Sequence, residues 1–405
     1  MEIRLAYGET GVTLDVPDTV KVDRYGLTTV NQPVTAEQFE RRLKETGGMD
    51  YLAGTPLVLV NDGFRATPTA RVLSWIDGID HAFLDRARFL IATGSHAEPV
   101  DSHLETIFGP HLSRVRGRLY FHSARDREAM RQIGMDEFDF PVWLNELALE
   151  AEKIIIIGSV EPHYFAGYTG GRKALFPGVC DLATIERNHN MANSLEAQPL
   201  RLKGNPVAEH LDRLLDLVNL SNIYSIQVVM DAGKRLDSVH CGDIRESFTT
   251  AVEAAAGLYS QEVEGAYDLI LAEIRPPLDR NLYQAQKALE NTQGAVRDGG
   301  TVVVVSACKD GVGSEHFFDL ADRWDREKNQ AVDGVPRFGS HKLSRVNLMT
   351  RRIDVRIHCT VPPADVRRVF YEPVEDLQSF LNETVKPGSR MAVVYDAGHT
   401  VLHRK

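Results

Sequence analysis

The chain has 405 residues, 43% hydrophobic and 25% charged, the mix of a soluble globular protein at a length that suggests two domains. Its 46 Lys and Arg against 57 Asp and Glu give a net charge of -11. That argues against nucleic acid as the main partner but leaves room for a local basic pocket that takes a small anion. No apolar run approaches the ~18 residues of a membrane span. The opening MEIRLAYGETGVTLDVPD lacks the basic-then-apolar pattern of a secretory leader and reads as the protein's own first strands. Cys180, Cys241, Cys308 and Cys359 form no CxxC pair, as expected in a reducing cytoplasm and unlike a zinc–thiolate site.

In chain order, TAEQFERRLKE opens a helix with a capping box, Thr35 to Gln38. The apolar run PLVLVND (56–62) follows, and TPTARVLSWI sets Pro68 behind a Thr67 cap. RFLIATG (88–94) and KIIIIGS (153–159) are further Val/Ile/Leu runs. Between 222 and 243, NIYSIQVVMDAGKRLDSVH reads as an antiparallel hairpin around Asp231-Ala232-Gly233-Lys234. The Ala-rich helical stretch after it places a domain boundary near residue 260. DLILAEI (268–274) then leads into LDRNLYQAQKALENT, a helix capped by Asp279, and TVVVVSA (301–307), DVRIHC (354–359) and MAVVYDAG (391–398) complete the series. Unbroken apolar runs suit strands buried on both faces of a parallel sheet, and their alternation with helices predicts two α/β domains with mostly parallel sheets, 1–260 and 261–405.

In open sheets of this kind ligands bind beyond the carboxyl ends of the strands. Strand 56–62 ends in NDGFRATP, which delivers Asp62 and Arg65; strand 88–94 ends in TGSHAEP, which delivers His96. Strand 153–159 runs into VEPHYFAGYTGGRK, with His163 and Lys173, and ERNHN carries His189. The first strand of the second domain leads to RPPLDRNLYQAQK, with Tyr283, Gln284 and Lys287 in the first turns of a helix. Taken singly each has an ordinary reading: a loop or capping histidine, a surface arginine, a structural i,i+4 pair. Their convergence on one rim is what points to a site. GYTGGRK fails as a Walker A loop, because Arg172 takes the second glycine's place and Ala174 follows the lysine. Its glycines would still let backbone N–H groups approach an anion. No GxGxxG dinucleotide fingerprint is present.

These segments taken together, NDGFRATP, ATGSHAEP, EPHYFAGYTGGRKALFPG, NHN, PLDRNLYQAQKA and SACKDGVGSEHFF, resemble the nickel-pincer lactate racemase family over nearly the whole chain and in order. The spacing of ten from His163 to Lys173 and sixteen from Lys173 to His189 is similar as well. The resemblance implies an active site in the cleft between the two domains, with the cofactor on 1–260 and substrate residues on 261–405. It implies a nickel-pincer nucleotide (nickel pyridinium-3,5-bisthiocarboxylic acid mononucleotide) attached covalently at Lys173, with His189 as the protein's metal ligand in the near-square-planar geometry nickel favours. Asp62, Gly63, Phe64 and Arg65 would line the cofactor. His96 and His163 would be the acid/base pair, and Arg65, Tyr283, Gln284 and Lys287 would hold the substrate. Accessory enzymes that build the cofactor would be needed.

The implied reaction inverts the hydroxyl-bearing carbon of a 2-hydroxy acid by hydride abstraction and return, which needs a base for either enantiomer. Imidazole suits that, because it titrates near neutral pH. Three positions depart from the lactate enzyme's pattern. Ala97 stands where an arginine is common, and His341 and Lys342 stand about where a tryptophan adjoins the substrate. These weaken lactate more than they weaken a 2-hydroxy acid; a polar pocket wall suits a larger, more oxygenated or more acidic substrate, and lactate, malate, an aromatic hydroxy acid and a sugar acid all stay open. The alternatives are a mononuclear zinc or iron hydrolase or dehydratase built on His96, His163 and His189, and a non-enzymatic nickel- or nucleotide-binding protein.

Overall fold

The computed structural model describes every residue but Thr28, Val30, Asn31, Phe64, Ala66, Ser314, Pro336 and Phe338, and the backbone alone of Glu315 and His316. The chain forms two α/β units. The terminal unit comprises Met1–Leu27, Ala192–Leu200 and Tyr259–Lys405; the central unit comprises Thr28–Met191 and Arg201–Leu258. Among the described residues no helix is long and apolar enough to cross a membrane.

Of the twelve strands in the two large sheets, the first, β1 (Lys21–Tyr25), belongs to the terminal unit. The next six make the central sheet: β2 (Leu57–Asn61), β3 (Arg88–Ala92), β4 (Leu119–Phe121), β5 (Ile154–Ser159), β6 (Ile223–Met230) and β7 (Leu236–Gly242). Their order is β7-β6-β5-β2-β3-β4, and only the β6–β7 hairpin is antiparallel. Lys234, at φ 58, closes its turn by donating its N–H to the Asp231 carbonyl at 3.0 Å. The runs lack polar alternation because both faces are covered: every residue of β5 and β6 is buried. On one face Val58, Val60, Phe89, Ile91, Ile155 and Ile157 pack with Phe39 and Leu43 of α1 (Ala36–Glu45) and Val72, Leu73 and Ile76 of α2 (Thr69–Ile79).

The capping box of α1 forms as the sequence predicts, with Thr35 and Gln38 bonding reciprocally. α2 differs. Its cap is Pro68, and the Thr67 hydroxyl instead bonds the Asn61 amide at 2.7 Å and the Ser159 hydroxyl at 2.8 Å. A buried hydroxyl between two strand ends finds stronger partners there than at a helix terminus. A third helix, α3 (Leu182–Asn190), is capped by Asp181 and carries His189 in its last turn.

The terminal sheet is parallel throughout. It joins β1 to β8 (Tyr267–Glu273), β9 (Val296–Val305), β10 (Asp354–His358), β11 (Glu372–Pro373) and β12 (Arg390–Val394), in the order β11-β10-β9-β8-β12-β1. Side chains alternate between two buried faces. Ile270, Val302 and Val304 pack against α4 (Leu282–Thr292) through Leu282, Ala285 and Leu289. Leu269, Leu271, Val303 and Val305 pack against Ile3, Leu5 and Leu14 of the N-terminal ribbon Glu2–Tyr7/Thr10–Asp15. The division therefore differs from a single cut at 260, because the first 27 residues supply an edge strand and a covering layer to the sheet of the C-terminal part. The cap of α4 differs too. Asn281 accepts the Gln284 N–H at 3.0 Å, while Asp279 sits in the preceding 3-10 turn.

Segment Ala192–Leu200 is held by one buried ion pair. Arg345, on α5 (Ser340–Thr350), grips Glu290 of α4 through two bonds, 2.8 and 2.7 Å. The same guanidinium donates to the carbonyls of Ala192 and Ala197 at 3.1 and 2.8 Å. Arg345→Met strands a buried carboxylate and is expected to cost about 3–5 kcal/mol of unfolding free energy. The double variant with Glu290→Gln is expected to recover part of it; urea titration of both measures the difference.

Candidate active site

Three neighbouring strands of the central sheet, β5, β2 and β3, run parallel and end on the same edge. Each continues into a loop that carries polar groups, so backbone pairing alone gathers Asp62, His96 and the 160–173 segment. Asp62 directly follows β2. The loop after it turns with the Arg65 N–H on the Asp62 carbonyl at 3.2 Å, and the loop after β3 turns with the His96 N–H on the Thr93 carbonyl at 3.0 Å. Gly63 must lack a side chain: a Cβ there would lie 2.7 Å from that of His103. Phe64 lies outside the described residues.

The three predicted histidines are fixed in three different ways. His96 meets Asp62 at 2.6 Å through Nδ1. The imidazole is half exposed and the carboxylate buried, with side-chain exposures of 47% and 7%. An Asp carboxylate receiving Nδ1–H leaves Nε2 to take up a proton, the arrangement of an oriented general base. His163 is buried, and its Nδ1 accepts the Ala166 N–H at 3.2 Å, so the ring proton sits on Nε2. His189, near the end of α3, has Nδ1 at 2.9 Å from the Ile185 carbonyl. A carbonyl can only accept, so Nδ1 holds the proton and Nε2 carries a lone pair, the form in which imidazole binds a metal.

The glycine-rich loop folds tightly against β6. Gly170, at φ 79, would place a Cβ 2.6 Å from the Gln227 side-chain oxygen, which itself accepts the Gly171 N–H at 2.9 Å. The turn that follows presents Lys173, half-buried. Burial holds its amine well below the ordinary lysine range, and the positive charges of Arg65 and Arg172 push the same way. Among the described residues no carboxylate pairs with it. Arg172, by contrast, is buried against Asp212, Nε to carboxylate 2.9 Å, with its guanidinium 4.6 Å over the Phe248 ring. Burial also lowers His189, to about 3, and Lys173, His96 and Arg65 reinforce this against the opposing Ile185 carbonyl. These four groups therefore lie within electrostatic reach of one another.

Phe165, which the sequence reading did not single out, is the aromatic hub of this cluster. His163 meets its ring edge-on at 4.5 Å and His189 at 5.1 Å, and the Lys173 amine lies 5.6 Å from its centre. His122 was also missed. Buried beneath the β3 loop, its ring bonds the Cys180 carbonyl at 3.0 Å, while its own carbonyl accepts the Thr93 hydroxyl at 2.6 Å. Its place in the undistinguished run YFHSARD gives no signal. Among the described residues no three His, Cys, Asp or Glu side chains gather as a multi-ligand metal site would require.

In the terminal unit, Tyr283, Gln284 and Lys287 share the half-buried face of α4, turned away from Leu282, Ala285 and Leu289. Lys342 of α5 is buried against them: its amine donates to the Tyr283 carbonyl at 2.7 Å and lies 3.9 Å over the Tyr283 ring. Burial and the neighbouring Lys287 lower it to about 7.

Residues 7–199 match the lactate racemase N-terminal domain and residues 269–353 the lactate racemase C-terminal domain. Over its full length the chain is 25% identical to a lactate racemase of Thermoanaerobacterium thermosaccharolyticum, covering 99% of that protein. It is 30% identical to a lactate racemase of Lactiplantibacillus plantarum, over 62% of this chain and 60% of the relative. Its fold matches the lactate racemase apoprotein from T. thermosaccharolyticum with a TM-score of 0.86 at 22% identity, covering 99% of this chain and 100% of the other. A protein from Thermotoga maritima matches with a TM-score of 0.71 at 17% identity, over 92% and 99% of the two chains. The chain belongs to the lactate racemase family and is an isomerase of the racemase type.

Proposed function

We propose that the protein inverts the hydroxyl-bearing carbon of a 2-hydroxy acid, using a nickel-pincer nucleotide tethered at Lys173 and bound through its metal to His189. The observation that carries this reading is the Lys173 amine. A structural lysine in a half-buried loop would be expected to sit on a carboxylate; this one has cationic neighbours and is pushed toward the neutral, nucleophilic form. His189 fits the second requirement, since its Nδ1–H is committed to a backbone carbonyl and Nε2 holds the lone pair a metal needs. The same donor set suits a single protein ligand better than a cage. When bound, the cofactor supplies an acceptor that takes hydride from the substrate carbon and gives it back.

The chain's own residues then have defined tasks. Asp62 holds His96 so that Nε2 takes the hydroxyl proton from one enantiomer. His163 serves the other. To act as a base it must move its ring proton to Nδ1 and give up the Ala166 N–H, a cost on the order of 1 kcal/mol, small against a catalytic barrier. Until then its Nε2–H donates to the substrate oxygen. Arg65 balances charge on that oxygen, Gly63 and Phe64 line the cofactor, and Gln284, Lys287 and Tyr283 hold the carboxylate. The second amine, Lys342, beside Lys287 and Tyr283 favours a substrate with a further acidic or hydroxyl group over lactate. The cofactor comes from dedicated accessory enzymes, and the reaction belongs in the cytoplasm.

Protein made in a host with those accessory enzymes is expected to carry a covalent adduct on Lys173 by mass spectrometry. Offered a panel of chiral 2-hydroxy acids, it is expected to racemise at least one, read by chiral chromatography; absence of both results would sink the proposal. Asp62→Asn, which leaves the His96 ring without its carboxylate, is expected to lower turnover by about 10²–10⁴ with the fold intact. His189→Ala is expected to lose nickel, measured by elemental analysis, while keeping its circular dichroism spectrum. Because a depressed amine is more fully deprotonated at neutral pH, Lys173 of cofactor-free protein is expected to acylate ahead of the exposed lysines at pH 7, as peptide mapping after brief treatment with an activated ester would show.

A further inference from the structure

At the amino edge of the terminal sheet, where β10 and β11 begin, lies a cavity of about 440 Å³. Four arginines line it: Arg326, Arg351, Arg352 and Arg367. Two of them are neutralised. Arg352 meets Asp298 at 3.2 Å and gives its other donors to the Val296 carbonyl and to Gln293. Arg367 meets Glu372 at 3.2 Å. The other acid in the lining, Asp354, is held by Arg356 at 2.6 Å. Among the described residues Arg326 and Arg351 form no ion pair with a carboxylate, so in a chain of net charge -11 this cavity keeps two uncompensated positive charges.

Neutral groups hold those two side chains in place. The Arg326 guanidinium lies 4.6 Å over the ring of buried Phe370; its Nε donates to the Asn347 side-chain oxygen at 3.1 Å and its Nη2 to the Thr350 hydroxyl at 3.3 Å. Nη2 of Arg351 donates to the carbonyls of Arg326 and Glu327 at 2.6 and 2.7 Å. A guanidinium carries five N–H donors and two are taken in each, which leaves three on either side chain for a ligand. The carbonyl end of α5 contributes about half a negative charge here, too little to offset two guanidiniums. The lining binds rather than reacts: the Thr350 hydroxyl donates to the Asn347 carbonyl at 2.8 Å, and both acids sit in ion pairs.

We propose that this cavity binds a small phosphate monoester, its phosphate gripped by Arg326 and Arg351. A monoester dianion matches the two uncompensated charges, and its three terminal oxygens suit two planar guanidinium forks. A phosphate group displaces only a few times the ~30 Å³ of a water molecule, so most of the cavity is left for the organic part, with Ile353 and Phe370 as apolar lining. The site is separate from the residues assigned to the 2-hydroxy acid. Lys342 lies near the other end of α5, about 12 Å along the helix axis from Thr350.

The test treats the full-length protein with phenylglyoxal, with and without glycerol 3-phosphate, and follows each arginine by peptide mapping. At ten times its midpoint concentration the ester is expected to slow modification of Arg326 and Arg351 about tenfold, leaving the exposed Arg71 unchanged. Neutral glycerol is expected to protect neither. Arg351→Gln is expected to raise the midpoint for protection of Arg326 by about tenfold or more. Equal slowing of Arg71, protection of Arg65 alone, or no protection of Arg326 and Arg351 would overturn the proposal. Inorganic phosphate acting at the same concentration as the ester would defeat the ester assignment. A triglutamate peptide acting at a lower one would give the cavity to an acidic protein segment instead. Protection is read on the unsubstituted chain, so the outcome stands whatever the variant's stability.

Discussion

The hydrogen-bonded ladder of β5, β2 and β3 is the constraint on which the candidate site depends. Ile154–Ile157, Leu57–Val60 and Phe89–Ile91 are buried along their whole length, so ionisable groups are excluded from the strands and emerge only where the ladder stops. Because the three strands are parallel neighbours, they stop together, and Asp62, His96 and the segment from His163 to Lys173 are delivered to one edge, where the His96–Asp62 bond and the Gly171 bond to Gln227 then fix them. The buried hydroxyls of Thr67 and Ser159, bonded to each other across β2 and β5, hold the same edge in register.

Beyond that edge, desolvation does much of the chemical tuning. Lys173 and His189 are depressed by burial first and then by neighbouring positive charge, that of Arg65 and Arg172 on the lysine and that of Lys173 on the histidine. Both are therefore favoured as neutral species, one as a nucleophile and the other as a lone-pair donor. Arg172, next in sequence to Lys173, shows the contrasting solution. Its charge is retained by placing the guanidinium between the Asp212 carboxylate and the Phe248 ring. Adjacent cations in one loop thus have opposite fates, decided by whether an acid and an aromatic face are within reach.

Much of this was legible in the sequence because it follows from local pattern. Unbroken Val/Ile/Leu runs gave the parallel strands, Thr35 and Gln38 gave a real capping box, and the Asp231–Lys234 turn gave the hairpin. The rule that polar groups gather beyond strand ends placed Asp62, His96, His163 and Lys173 on one rim. Non-local preferences were not legible. Thr67 and Asp279 looked like helix caps, yet the threonine is claimed by Asn61 and Ser159, and Asn281 caps α4 in place of the aspartate. Phe165 could not be distinguished from core, since its importance lies in having His163, His189 and Lys173 around its ring. The first residues read as strands, but nothing in them could say that they would cover a sheet built from residues far along the chain.

That last arrangement has a consequence for biosynthesis. Among the described residues β1 pairs with β12 alone, from Arg390↔Lys21 to Val394↔Tyr25, so this edge strand has no partner until residues about 370 positions further along have been made. The central unit, contained within residues 28–258, has all its strands long before then and can condense during translation, with the leading ribbon held in waiting. Bringing such distant segments together is the entropically slow step, and in that interval the apolar Ile3, Leu5 and Leu14 have no layer to cover, which makes the nascent leader a natural client for holding chaperones.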